Sequence, residues 1–365
     1  MTTIERHSPR LRSLRYAAQL TVPSPSATAD PTALRACWHP VSFSAAVTDA
    51  PVAADLLGER LVIWRDSSGA ANVHSDLCIH RGTALSLGRV EGDELICPYH
   101  AWRYERGGAC VAIPQLADPT KVPAKARIQR FRSQERYGLV WVALDGPRWE
   151  LPDLPELESA GWELVPCGPY AWQADASRQV ENFTDFGHFP WVHPGLLGDP
   201  ERPVVPEHTV RTDEHVLHYE IVRPEAPNSG DFPVFANETQ EQPLRRSRYE
   251  LHLPYTIALR LGWGGIEGMV YLFASQPAGP ERSIGYVVIG RNYNLDQPAS
   301  VLQDFEDVIF GQDQVVVESQ RPEIVPFDLA DELHLTFDAV AVAYRRAMRD
   351  QGLAARSVGA PLLSE

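Results

Sequence analysis

The chain has 365 residues, 44% of them hydrophobic, with nine Trp, twelve Tyr and twelve Phe. That is more core-forming material than one compact domain usually holds. Its net charge of −15, without a long Lys/Arg run, excludes a duplex nucleic-acid footprint, and no apolar stretch approaches the ~20 residues of a bilayer-crossing helix.

The first residues carry Arg6, Arg10, Arg12 and Arg15 and then "TVPSPSATADP", without the apolar run of a secretory signal. Residues 1–34 read as a flexible arm. The cysteines number five, Cys37, Cys78, Cys97, Cys110 and Cys167, an odd count that argues against a disulfide framework and for a reducing, cytoplasmic setting. From "CWHPVSF" onward, short strand-like runs such as "RLVIWRD", "ELICPYH" and "YGLVWVALDG" alternate with turn signals "SSG" and "ERGG". They predict a small all-β domain over residues 35–147. The Pro- and acid-rich "PRWELPDLPELESAGW" marks its boundary.

Over residues 148–353 the pattern changes. A helix is predicted before "VHPG", then long strands at "HVLHYEIVR", "SRYELHLPYTIALRLGW", "GMVYLFASQ" and "RSIGYVVIGRNY", then helices near 299–320 and 335–350. Strands and helices in separate runs make this second domain α+β. Residues 354–365 read as a loose tail.

Chemistry-bearing residues concentrate in two places. In "CIHRG", Cys78 and His80 sit at i and i+2 of an extended segment and point the same way. In "CPYH", Pro98 favours a turn that brings Cys97 and His100 together. Two thiols and two imidazoles so arranged suit either a structural zinc ion or a [2Fe–2S] cluster with the cysteines on one iron and the histidines on the other. Spacing alone leaves both open.

The second place is "VENFTDFGHFPWVHPGLLGDP", with Asn182, Asp185, His188 and His193. Asp185 and His188, three apart, are expected on one face of a helix. Pro190 disfavours a helical Phe189, so the helix is expected to end there and His193 to return from the next turn. Two histidines with a carboxylate leave open positions on Fe(II). Of the acids in "ASVLQDFEDVIFGQDQVVVESQRP", Asp304 and Asp307 fit an exposed first turn. Asp313, between "VIF" and "VVV", is expected to be buried, and a lone buried carboxylate is costly unless paired or metal-bound. Glu306 and Phe310, seven and three residues earlier, fall on the same helical face and are candidate substrate contacts, although Glu306 could equally face water beside Asp307.

"CIHRG", "CPYHAWRY" and "GGACVAIP", with "ENFTDFGHFPWVH" and the distant "QDQVVVESQRP", resemble the α-subunits of Rieske non-haem iron oxygenases from about Trp38 to Arg346. The likeness is to the homotrimeric monooxygenase group of the ring-hydroxylating type, nearest to bacterial methylxanthine N-demethylases and further from vanillate O-demethylases. The absence of an extra cysteine in either loop points to the low-potential oxygenase kind.

The resemblance implies a Rieske [2Fe–2S] cluster on Cys78, His80, Cys97 and His100, and a mononuclear Fe(II) on His188, His193 and Asp313. It implies an N-terminal all-β Rieske domain followed by a helix-grip-like, START-like domain with an antiparallel sheet. It assigns Asp185 the bridge between His188 of its own chain and His100 of a neighbour in a head-to-tail homotrimer; Asn182, three residues earlier on the same expected helical face, is a candidate for lining the iron pocket or else a capping or packing amide. Electrons would come from a separate NAD(P)H-dependent reductase, a ferredoxin or both, and O2 and a small organic molecule would be the substrates. Oxidative N-demethylation with formaldehyde release leads; C–H hydroxylation, O-demethylation and oxidative cyclisation are the alternatives. A non-catalytic electron carrier or a zinc-stabilised binding module would leave the second cluster of ligands without a task.

Overall fold

The computed structural model describes residues 25, 27–224, 244–263 and 266–356. The arginine-bearing start and the last nine residues lie outside these. β1 (Ala27–Ala29) and α1 (Pro31–Leu34) open the chain, α1 beginning where Asp30 accepts a hydrogen bond from the Thr32 amide at 2.9 Å.

The first lobe holds β2 (His39–Phe43), β3 (Val52–Leu56), β4 (Glu59–Arg65) and β5 (Ala71–Ser75). It continues with β6 (Arg89–Glu91), β7 (Glu94–Ile96), β8 (Arg103–Glu105) and β9 (Cys110–Ala112), and ends with β10 (Arg132–Arg136) and β11 (Leu139–Ala143). These form three small antiparallel sheets, ordered β10–β11–β2, β3–β4–β5 and β6–β7–β8–β9. The last of them carries both motif loops, one before β6 and one between β7 and β8.

β12 (Glu163–Trp172) begins the second lobe, followed by α2 (Ala176–Thr184) and α3 (Phe189–Val192). β13 (Arg211–Asp213), β14 (Val216–Pro224), β15 (Leu244–His252), β16 (Thr256–Trp263), β17 (Ile266–Gly279) and β18 (Arg282–Arg291) complete a seven-stranded antiparallel sheet ordered β12–β18–β17–β16–β15–β14–β13. α4 (Ala299–Val317) and α5 (Ala339–Asp350) close the lobe. The architecture is the α+β arrangement expected from the pattern.

The central strands are apolar on both faces because both are covered. Along β17, Met269, Tyr271 and Phe273 join the core under the helices, while Val270, Leu272 and Ala274 pack with Leu139 and Trp141 of the first lobe. A period-2 strand sends alternate residues to opposite sides, so "GMVYLFA" reads as one unbroken run. The boundary segment contributes Leu151, Leu154 and Leu157 to that same shared core.

Four local expectations are corrected. "SRYELHLPYTIALRLGW" is a hairpin, β15 and β16, turning at Leu253–Tyr255; Pro254 offers no amide to a ladder. α2 stops at Thr184, and Asp185 is its C-cap in extended conformation (φ −84°, ψ 129°), so Asp185 and His188 share no helix. Phe189 is the first residue of α3 with Pro190 second, a place where proline's missing amide costs nothing. The end of the arm and the start of the tail are paired: β1 lies antiparallel to β19 (Ala354–Arg356).

Candidate metal centres

The first-lobe loops converge by backbone turns. Gly82 donates its amide to the Cys78 carbonyl (2.8 Å) and Ala101 to the Cys97 carbonyl (3.0 Å), both at positive φ. The loops therefore curl in parallel, with the cysteines inward and the histidines at the tip. Cys78 and Cys97 are buried, among Trp64, Leu85, Leu95 and Ile128. Burial raises the Cys97 thiol above its ordinary value and the neighbouring Cys78 adds to this, while the Tyr99 and His100 amides pull the other way. A thiolate there needs a compensating cation.

His80 and His100 bring their Nδ1 atoms to 3.1 Å, close to the ligand–ligand span about one metal ion with bonds of about 2.1 Å. His80 is held below its ordinary pKa, by desolvation first and then by His100 and Arg81, as suits a neutral ligand.

One metal ion for all four would need the sulfurs and nitrogens to meet at a point. Among the described residues, His188, His193 and Asp313 are the group of three or more His, Cys, Asp or Glu whose donor atoms all lie within 4.8 Å. The four loop ligands do not form such a group. They pair instead, sulfur with sulfur and nitrogen with nitrogen, which fits a two-iron cluster and not zinc.

The second centre joins α3 to α4. α4 buries Leu302, Phe305, Glu306, Ile309, Phe310, Asp313 and Val317, a stripe at spacings of three and four that carries Asp313 inward. Its Oδ1 lies 2.9 Å from His193 Nε2 and 3.4 Å from His188 Nε2. All three atoms are buried without a hydrogen-bond partner, which costs free energy unless a cation occupies the space between them. The other ring nitrogens are held: His188 Nδ1 donates to Asp185 Oδ2 (3.1 Å) and His193 Nδ1 to Gln312 Oε1 (2.7 Å). Each bond fixes the tautomer that leaves Nε2 free for metal. Asp185 is also held by the Gly187 amide (2.7 Å). Burial would raise its carboxyl, but the His188 and amide hydrogen bonds outweigh that and hold it below the usual range.

Residues 37–131 match the family profile of the Rieske [2Fe–2S] domain, and residues 172–354 that of the vanillate O-demethylase oxygenase C-terminal domain. Methylxanthine N1-demethylase NdmA of Pseudomonas putida is 33% identical over 87% of this chain and 89% of its own. The chain belongs to the Rieske oxygenases. Methylxanthine N3-demethylase NdmB of the same organism is 31% identical over 89% of this chain and 92% of its own. The solved structure of NdmA with caffeine superposes with a TM-score of 0.77 at 28% identity, covering 91% of this chain and 99% of that one. Oxidoreductase NdmD of P. putida is 39% identical over 31% of this chain and 19% of its own. As a Rieske oxygenase the protein is an oxidoreductase acting with O2, and its cofactors are a [2Fe–2S] cluster and a mononuclear non-haem iron.

In this Rieske oxygenase the mononuclear site lies between two spaces, both lined by Asn182, His188 and Asp313. The inner pocket is walled by Phe183, Leu259, Tyr271 and Phe310, with polar atoms from Glu306, Ser247, Arg223 and Arg245. Glu306 does not face water with Asp307: it is 4% exposed, whereas Asp307 is exposed and accepts a hydrogen bond from Tyr170 (2.9 Å). Desolvation pushes the Glu306 carboxyl up to about 8, the charges of Asp313 and Asp307 adding to it and a Tyr271 hydrogen bond opposing it. Phe310 stacks on Tyr170, ring centroids 4.1 Å apart and planes 9° apart.

The outer cleft holds Asp185 together with Arg178, Glu181, Glu332, His334 and Arg345. Arg345, 2% exposed, bonds Glu181 Oε2 at 2.8 Å and Glu332 Oε2 at 2.6 Å. Several of these residues carried no separate signal in the sequence. Gln312 needed the fold to bring it to His193. Trp102, stacked on His80 at 4.6 Å and 7°, and Tyr104, whose hydroxyl lies 3.1 Å from Cys78 Sγ, stood inside the quoted motif without an assigned part. His334 has cleft company that its sequence neighbourhood does not show. Cys37, Cys110 and Cys167 are buried free thiols, and His39 is buried with a ring nitrogen on the Leu34 carbonyl, as expected of structural residues.

Proposed function

We propose that this oxygenase removes N-methyl groups from a small heteroaromatic molecule, with electrons from a separate reductase. The observation that carries the reading is the cluster of three buried atoms without a hydrogen-bond partner, His188 Nε2, His193 Nε2 and Asp313 Oδ1, beside an aromatic pocket. Kinship with the two methylxanthine demethylases points the same way. When loaded, the cluster supplies electrons singly and the open-sided Fe(II) supplies the place where O2 is reduced. One oxygen atom enters the methyl C–H bond; the carbinolamine then releases formaldehyde, and the second atom leaves as water at a cost of two electrons and two protons.

The chain's own residues hold the parts in place. Phe310 and Tyr271 flank the substrate ring and exclude water. Neutral Glu306 offers both a donor and an acceptor to a polar edge, and Asn182 hydrogen-bonds beside the reacting carbon. Asp185 orients His188 and, across a subunit boundary, His100 of a neighbour. The exposed apolar Leu77, Ile79 and Tyr99 around the first-lobe tip, and Trp191, Leu333 and Phe337 near the outer cleft, are matching surfaces for a head-to-tail homotrimer. The reading also divides the chain into a Rieske domain over 35–147 and a catalytic domain over 148–353, and places the enzyme in the reducing cytoplasm.

The test is formaldehyde released against O2 consumed, using iron-replete protein, NdmD as electron donor and a panel of N-methyl and O-methyl compounds. Formaldehyde rising in step with O2 on N-methyl substrates is expected. An oxygenated product without formaldehyde would replace the reading with hydroxylation or cyclisation, and formaldehyde from O-methyl compounds alone with O-demethylation.

A further inference from the structure

Charge is unevenly divided along this chain. Residues 37–131 contain ten Lys or Arg and ten Asp or Glu, so the whole −15 lies outside them. Within that neutral segment the cations are not evenly matched. Arg65, Arg89 and Arg103 are tied to carboxylates at short range, as are most arginines of the second lobe, Arg260, Arg291 and Arg345 among them. By contrast Arg106, Lys125, Arg127, Arg130 and, just past the segment, Arg132 are all exposed. None has an ion-pair partner among the described residues.

Three of the five are tied together through the backbone, and Lys125 and Arg132 flank them on the same exposed segment. Arg106 lies in the turn between β8 and β9. Arg127 donates to the Gly107 carbonyl of that turn at 2.9 Å, and its backbone bridges Ala109. Arg130 bridges His74, whose ring nitrogen bonds the Arg106 carbonyl at 3.1 Å. Gly108 is wedged so closely that a side chain there would meet the Ile128 carbonyl at 2.4 Å, so the turn and the 125–132 segment cannot separate. Like charges along one segment repel, and among the described residues no carboxylate lies within ion-pair distance of them, although the Arg106 charge helps hold the Asp93 carboxyl low.

The same segment packs on the cluster's thiolate side. Ala126 and Ile128 belong to the core that contains Cys78, Cys97 and Trp64. The histidine tip, with its apolar Ile79 and Tyr99, is a separate surface. A donor protein approaching the basic face would meet the cluster across the core that Ala126 and Ile128 share with Cys78 and Cys97, while the tip stays free for a neighbouring subunit.

We propose that Arg106, Lys125, Arg127, Arg130 and Arg132 form the docking face for the electron-donating protein, which meets it with a carboxylate-rich surface. At each encounter one electron passes from the donor's one-electron carrier to the cluster; the donor is oxidised, the cluster reduced, and no atom is transferred. The inference rests on the reading that a separate protein supplies the electrons. Complementary charge acts chiefly on association rate and is screened by salt.

The experiment follows cluster bleaching at stopped flow in the iron-loaded protein, with a reduced acidic plant-type ferredoxin and with NdmD as protein donors and dithionite as the small-molecule donor. The variant carries Lys125→Glu, Arg127→Glu and Arg130→Glu. At low salt it should be reduced by the protein donors about tenfold more slowly than wild type. The steep salt dependence expected of the wild type should flatten. Dithionite reduction at high salt, where the reductant's own negative charge is screened, cluster spectrum and size on gel filtration should not change. Equal protein-driven rates, or a wild-type rate indifferent to salt with both donors, overturn the proposal. So does a change in oligomeric size, which would assign the face to a subunit contact. Wild-type protein that is reduced by the protein donors with the expected salt dependence yet releases no formaldehyde from N-methyl compounds would count against the demethylase reading and leave the docking face standing.

Discussion

Two carboxyls beside the candidate iron site, Asp185 and Glu306, differ in state because their surroundings differ. Asp185 is an anion held by His188 and two turn amides, and its hydrogen bond fixes the tautomer and direction of the His188 ring. Asp185→Asn keeps the shape and one acceptor but weakens the hold on His188 and removes the charge. Turnover should fall at least a hundredfold, while iron content stays at about three and sulfide at about two per chain. Iron lost in proportion to activity would make Asp185 a structural support instead.

Glu306 is the opposite case. Its folded pKa, about 8, lies above the value of a solvated carboxyl near 4.5, so between these limits the folded state binds a proton that the unfolded state has shed. Its contribution to stability is present below about pH 4.5 and is lost as pH rises towards 8. Glu306→Gln removes that dependence. Calorimetry should show the variant's Tm gaining on the wild type from pH 5 to 8 and levelling beyond, and parallel curves would mean that the Glu306 carboxyl is already charged near neutrality.

At the scale of elements, α2, α4 and α5 are what hold the site together. Arg345 on α5 reaches Glu181 on α2 and Glu332 on the segment that rims the outer cleft; Arg178 of α2 meets Glu332 as well, at 3.1 Å. Removing one partner of a buried ion pair is worse than replacing the pair, because it strands a charge. Arg345→Ala should therefore destabilise the protein by about 3–5 kcal/mol in chemical denaturation, and the joint change Arg345→Met with Glu181→Gln by less. A loss under about 1 kcal/mol would mark the network as no more than a surface pairing. Because α2 ends at the Asp185 cap, the single variant should also bind iron more weakly.

At the scale of the whole molecule, the cluster tip and the outer cleft carry exposed apolar residues that the proposed head-to-tail trimer would cover. If electrons cross between subunits, damage to the two centres can be complemented. If Cys78 holds the cluster and Asp313 the mononuclear iron as proposed, Cys78→Ser should abolish the one and Asp313→Ala the other, and each variant alone should be inactive. Trimers assembled from both should regain part of the wild-type turnover, since some junctions pair an intact cluster with an intact iron. No recovery in trimers shown to be mixed would confine the electron path to single chains.

The residues assigned to the two centres could be singled out in the sequence because their grouping is local: an i, i+2 pair on an extended segment, a proline turn, two histidines either side of a short helix, and an acid within an apolar stripe. The alternation of the strands and the change of pattern near residue 148 were legible for the same reason. Asp185 was found but placed on a helix that stops one residue earlier, since a C-cap depends on packing that no period reveals. Tertiary structure alone decided whether the Cys/His loops close on one ion or two, because pairing of ligands depends on how two distant turns lie together. It also decided that Glu306 is buried while Asp307, one residue on, is not, that Gln312 backs a histidine 119 residues away, and that arm and tail meet in β1 and β19. Local sequence specifies which way a side chain points along its own element; what it meets there is set by the elements packed against it.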